Sequence, residues 1–498
     1  MPDDDNQPRH STMHPGEPGS VGDRNETGEE PVPLGTRDPE TQRLVLSPKK
    51  TMPTAKAFVK ERHDHPEGPT IRNYAGILMV WRGNRYVEIE DETLRHILQP
   101  WLHEAKQFVK KKDEWKLIDF ESNPATINAA VESIKTLTHI PASVTPPVWL
   151  SNAEDRPNPL ELLPYPSGNL HVLTGQVFTP TPALFNINAL DFDYDPNAEV
   201  PKEWNKFVGQ IWGRDTESIE LLQEWFGYTL IADTSQQKML MLVGPRRSGK
   251  GTIGRILKQM VGVSNVVGPT LPSLTGRFGL QPLIGKTLAI VSDAHFTRKN
   301  VGVAEERLLC ISGEDTLTID RKCISSVTMK LPTRFMFLTN DLPRMYDASG
   351  AFVSRFVTLR MTESFLGRED KNLENKLLAE LPGILLWAIE GLKRLRARGH
   401  FVEPKAVSEA VREMEDLASP VRGFVRDCCT IATGNRVWVD DLFKAWWQWC
   451  QHNGRNCTME KQAFGRDLAA AVPGVVCRRN TAKGRFYEGI ALRLGGGL

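Results

Sequence analysis

A chain of 498 residues with 40% apolar and 25% charged side chains has room for about three domains of ~150 residues, and ample material for their cores. Its formal net charge of +1 excludes a uniformly basic or acidic chain, so partners must be read from how charge is divided along it. Seven scattered cysteines with no CxxC pair argue against a zinc module or a disulfide framework, and an acidic start with no apolar run of about 18 residues argues for the cytoplasm and against a membrane.

Residues 1–68 are rich in Pro, Asp, Glu, Gly, Thr and His, with few aliphatics, and are expected to form a disordered, acidic and polar head. Residues 69–202 read as an α+β module. A hairpin is predicted from Ile77–Trp81, a Gly83-Asn84 turn and Arg85–Ile89, followed by helical periodicity in Asp91–Lys110 and Thr126–Thr138. Short strands such as Leu170–Leu173 are set in a Pro- and Asn-rich stretch. Trp204–Ala232 reads as helical, with Phe207, Ile211, Ile219, Leu222 and Trp225 as its apolar positions.

Next comes Met239-Leu-Met-Leu-Val243, a buried-strand pattern that stops at Gly244. The run Gly244-Pro245-Arg246-Arg247-Ser248-Gly249-Lys250-Gly251-Thr252 has the spacing of a phosphate-binding loop opening a helix. Backbone N–H groups and the helix dipole suit a nucleotide such as ATP, and Lys250 adds a point charge for its outer phosphates. Gly251 stands where a hydroxyl usually follows the lysine, so Thr252 becomes the candidate on the metal side. Asp293 closes a second apolar strand, Leu288–Asp293, and is the candidate ligand for Mg2+. The alternative for Asp293 is a strand-end residue that starts a turn. His295, Glu305 and Glu306 are candidates for the base. Asn340 closes a third strand, Arg334–Asn340, where an amide could orient water and sense the γ phosphate; the alternative is an Asx-turn before Pro343. Three strand ends thus converge on one place. Arg355 follows at the distance where ring ATPases set an arginine finger for the neighbouring subunit, although a lone Arg beside a strand start is usually a surface residue.

The phosphate loop, the strand-end acid, Gly313–Lys322, Phe337-Leu-Thr-Asn340-Asp-Leu-Pro343 and Arg355-Phe356 occur in an order that resembles superfamily 3 helicases. More narrowly, the chain is similar to the phage and plasmid primase-helicase family related to the poxvirus nucleoside triphosphatase. The likeness extends upstream through Asn188–Ala198 and downstream through Glu380–Leu392. It implies an α/β AAA+ P-loop ATPase core over 203–390, the α+β module before it, and a basic helical and winged-helix region over 391–498. It also implies a homohexameric ring that pulls single-stranded or forked DNA through a pore in a bacterial host's cytoplasm, alongside a separate primase or origin factor. In such a ring Ser312–Lys322 corresponds to the pore hairpin, making Arg321 and Lys322 candidates for gripping the DNA backbone.

Residues 391–498 hold 18 Lys/Arg against 11 Asp/Glu. Val439–Asn453 reads as a helix whose Leu442, Phe443, Trp446, Trp447 and Cys450 are core rather than a stacking surface. Lys461–Ala471 gives a second helix, and Val475–Arg493 a strand pair whose loop is expected to hold Arg478, Arg479, Lys483 and Arg485 as phosphate contacts. Alternating carboxylates in Asp191-Phe-Asp193-Tyr-Asp195 suggest a two-metal primase site. The family's non-catalytic Asp-Tyr-Asp-Pro turn falls there, and primase activity in this chain is not expected. Two rival functions stay open: an ATP-switched origin-binding initiator or loader, and a nucleotide kinase.

Overall fold

A computed structural model of the chain describes residues 32–111, 114–151, 155–294, 301–342, 351–405, 419–454, 459–480 and 484–493. The protein is a mixed α/β structure with several separate sheets, and it divides into two compact units. Among the described residues no helix is long and apolar enough to cross a membrane.

The first unit comprises the chain to Phe58 and Arg95–Ser133. Of the head expected to be disordered, residues 1–31 lie outside the described residues, whereas the part from residue 32 is folded. Val45 and Leu46 are fully buried, Val45 bridges Lys106, and a helix runs over Thr51–Arg62. Phe58 packs edge to face on Trp101, with ring centroids 5.2 Å apart. A few clustered apolar residues make this core, which overall composition does not register. The expected helix Asp91–Lys110 stops at His103, because Lys106–Lys111 pairs as a strand with Glu114–Asp119. That register sets Lys106 opposite Asp119 and Lys111 opposite Glu114, and opposite charges across a ladder favour the pairing.

The second unit holds the remainder. Strands β1 (Ile71–Tyr74), β2 (Ile77–Trp81) and β3 (Tyr86–Ile89) form a meander in which Trp81 faces Tyr86 across the expected turn. Two helices follow instead of one. Helix α1 (Lys202–Trp212) ends at Gly213, and α2 (Thr216–Tyr228) restarts on Asp215, whose carboxylate accepts from the Ser218 N–H at 3.1 Å.

The central sheet contains β4 (Met239–Val243), β5 (Val266–Val267), β6 (Leu288–Val291), β9 (Arg334–Thr339) and β10 (Phe356–Arg360), all parallel, in the order β5-β6-β9-β4-β10. Helix α3 (Lys250–Val261) follows β4, and α4 (Val301–Ser312) precedes an antiparallel hairpin of β7 (Leu317–Arg321) and β8 (Ile324–Met329). Every residue of β4 and β9 is buried, as expected of a parallel sheet covered on both faces. Leu240, Leu242 and Leu338 pack with Trp204, Trp225 and Ile256 on one face. Met241, Phe335 and Phe337 pack with Leu271 and Leu308 on the other.

Helices α5 (Leu373–Ala379) and α6 (Leu381–Arg398) complete the first of these layers. A domain boundary at 390 would cut through α6. The helix is instead tied to α2 by Glu224, only 3% exposed, which pairs with Arg394 at 2.7 Å and with Arg398.

A further core forms from α7 (Pro420–Cys428), β11 (Cys429–Trp438), α8 (Val439–His452), α9 (Lys461–Ala471), β12 (Val476–Asn480) and β13 (Gly484–Leu492). Phe424, Leu442, Trp446, Trp449 and Phe464 fill it, under a sheet of order β11-β13-β12. Trp447, expected in this core, is 45% exposed. Cys450 is disulfide-bonded, against the expectation of scattered thiols, whereas Cys310, Cys323, Cys428, Cys429 and Cys477 are free.

Candidate functional site

The carboxyl ends of β4, β6 and β9 are adjacent, and the β4–α3 loop opens above them. Two glycines are required there. A Cβ on Gly244 would lie 2.6 Å from the Met361 carbonyl oxygen. Gly249 has φ +99°, and a Cβ there would meet the buried Phe207 ring at 2.9 Å. With these close approaches the loop turns sharply and α3 begins at Lys250.

Lys250 folds back into the loop. Its Nζ donates to the carbonyl oxygens of Gly244 at 2.6 Å and Pro245 at 2.8 Å, with Ser248 Oγ at 3.3 Å and Asn340 Oδ1 at 3.2 Å. Burial pulls its pKa below the ordinary lysine value, an effect that Asp293 and Asp341 oppose electrostatically. Asn340 therefore engages the loop lysine, whereas Pro343 of the Asx-turn alternative lies outside the described residues.

One cleft of about 760 Å³ is lined by Arg246, Arg247, Ser248, Gly249, Lys250, Gly251 and Thr252, joined by Arg255, Asp293 and Asn340. Two of its non-glycine residues have left-handed backbones, Arg247 at φ +59° and Asp293 at φ +49°. Such conformations cost about 1–3 kcal/mol each and recur where a side chain must be aimed. Four cations and one carboxylate line the cleft; Arg247 and Arg255 are paired with Glu369 and Glu374 at its edge, which leaves Arg246 and Lys250 as the cations beside Asp293. Arg255 had no signal as a loop residue. It sits three positions after Thr252 on the same helical face, with Nη2 3.4 Å from Thr252 Oγ1 and Nε 2.7 Å from Glu374.

Two of the base candidates stand apart from this cleft. Glu305 and Glu306 lie on α4 and are not among its lining residues, and His295 falls outside the described residues. Arg355 is also apart. It precedes β10 at the amino end of the sheet and bonds Gln237 just before β4, so a five-residue strand of about 16 Å separates it from its own chain's cleft.

Ser312–Lys322 does lead into a hairpin, but its two cations differ. Arg321, expected on the exposed hairpin, is 8% exposed and donates to the backbone carbonyls of Ala75 at 2.6 Å and Ser325 at 2.7 Å. Three hydrogen bonds to these two carbonyls, Nε also donating to Ser325, replace its hydration, so it serves the local structure of the hairpin. Lys322 is exposed. The three alternating acids are each held by local donors. Asp191 accepts from the Val263 N–H and lies near Arg85, Asp193 accepts from Ser167, and Asp195 accepts from the Asn197 N–H. Arg478 and Arg479 stand on β12 and Arg485 on β13, all exposed, whereas Lys483 lies outside the described residues.

The profile of a family of unknown function (DUF5906) matches residues 242–355, the stretch from the end of β4 to Arg355. No curated protein matches the sequence. Among solved structures, the chain is similar to the A-form apo structure of the NrS-1 C-terminal region, at 13% identity and a TM-score of 0.46 over 84% of this chain and 96% of that one. A second A-form apo structure of that region gives 14% and 0.45, over 82% and 84% of the two chains. A third, also apo, gives 14% and 0.44, over 85% and 96%.

Proposed function

We propose that this chain is an ATP-dependent DNA helicase of the superfamily 3 type, serving a phage, prophage or plasmid replication system as a ring, with a AAA+ P-loop core and a winged-helix C-terminal region. The observation that carries the proposal is the meeting of Lys250, Thr252, Asp293 and Asn340 in one cationic cleft at the carboxyl ends of three adjacent parallel strands.

ATP with Mg2+ suits this donor set. The glycines let the loop turn closely into the start of α3, where helix N-terminal N–H groups suit an anion, and the Lys250 ammonium already gathers four acceptor oxygens that phosphate oxygens can replace. Mg2+ supplies charge neutralisation at the outer phosphates, and Thr252 and Asp293 are the residues to hold it. Asn340 orients the attacking water. Arg355, too far from its own cleft, serves the cleft of a neighbouring subunit. DNA contact falls to Lys322 and to Arg478, Arg479, Lys483 and Arg485, with Arg321 withdrawn from that role by its burial.

The test is ATP hydrolysis by the full chain with and without single-stranded DNA, beside Lys250→Ala. Stimulation by DNA that disappears in the variant supports a translocating motor. Turnover indifferent to DNA favours the nucleotide kinase, and DNA binding without turnover favours the assembly switch.

A further inference from the structure

In the C-terminal sheet, register sets Trp438, Phe486 and Arg478 in one row across β11, β13 and β12, and Arg436, Glu488 and Val476 in the next. Side chains alternate along a strand, so both rows emerge on the same face. The residues between them, Val437 and Tyr487, pack into the domain core. The outward face therefore carries two partly exposed rings that contribute nothing to that core. Trp438 and Phe486 meet edge to face with centroids 5.7 Å apart, and the Arg436 guanidinium lies 5.5 Å from the Phe486 centroid.

We infer that this face is a stacking platform for the bases of single-stranded DNA, with Glu488 as a built-in competitor for the phosphates. The charge argues for a polyanion: residues 419–498 hold twelve Lys/Arg against six Asp/Glu. The rings argue for a single strand, because a duplex hides the base faces that an aromatic ring can cover. Arg436 and Arg478, about two-thirds exposed, both pair with Glu488, the former at 3.2 Å. An incoming phosphate takes these two guanidiniums from a single carboxylate. This inference deepens the nucleic-acid role given to the basic tail and does not depend on the ATPase cleft.

The experiment is fluorescence anisotropy of the full chain with a labelled oligothymidylate and with an abasic oligonucleotide of the same length, at two salt concentrations. The wild type is expected to bind oligothymidylate about 10-fold or more tightly than the abasic strand. Phe486→Leu should lose that preference while keeping its affinity for the abasic strand. Glu488→Gln, a surface change that leaves the core intact, should bind both strands more tightly, by about 3- to 10-fold, and with a steeper salt dependence. Equal affinity of the wild type for the two strands, no measurable binding, or a Glu488→Gln variant that binds no tighter than wild type overturns the inference. Hydrolysis measured on the same preparations separates the two proposals. Absent DNA-stimulated turnover with base-dependent binding sinks the motor alone, whereas intact turnover with base-independent binding sinks the platform alone.

Discussion

Asn340 holds the Lys250 ammonium from the strand beside the loop, and a single amide there can report what the lysine is bound to. On the proposed role, in which its amide orients the attacking water, Asn340→Ala should lower kcat for ATP by about 10²-fold with little change in KM. Steady-state kinetics check it, and a rise in KM at constant kcat would assign Asn340 to binding only. At a second site, His63 is half-buried beside Thr70, and burial, aided by the charges of Arg82 and Arg62, lowers its pKa from 6.5 to about 4. The unfolded chain therefore takes up this proton first as pH falls. The resulting stability is fully present above pH ~6.5 and is lost as pH drops toward ~4. Urea midpoints at pH 7 and pH 5 should diverge in the wild type and converge in His63→Gln.

Among the elements, those buried on both faces were the legible ones. β4, β6 and β9 read as apolar runs because parallel strands covered by two layers need no alternation, and Gly249-Lys250 marks where the helix starts. The loop residues, Asp293 and Asn340 could be assigned to one place for that reason. β11 could not be foreseen. It is largely exposed, and its register shifts between Ile431 and Arg436, so no period survives in the sequence. Nor could the burial of Arg321, whose solvation comes from the Ser325 carbonyl and from the backbone of a distant turn at Ala75. The join between α2 and α6 was hidden likewise, since Glu224 meets Arg394 and Arg398 across some 170 residues. Removing both arginines strands a buried carboxylate. Arg394→Ala with Arg398→Ala should cost about 3–5 kcal/mol in urea unfolding, and adding Glu224→Gln should recover most of it. No recovery would mean that the arginines act through packing.

Across the whole molecule, the separation of Arg355 from its own cleft makes a statement about assembly. If each site is completed by a neighbour, Lys250→Ala and Arg355→Ala subunits are inactive for different reasons, and mixing them creates some interfaces with an intact cleft facing an intact arginine. ATP turnover of the mixture should exceed that of either variant alone several-fold, measured at fixed total protein. A mixture no more active than its components would return Arg355 to a structural role beside Gln237. The central claim, that hydrolysis in this cleft drives strand separation, is tested most directly by displacement of a labelled strand from a forked duplex. The account predicts displacement with ATP and Mg2+, none with a non-hydrolysable analogue, and none with Lys250→Ala. DNA binding and ATP turnover without any displaced strand would contradict it.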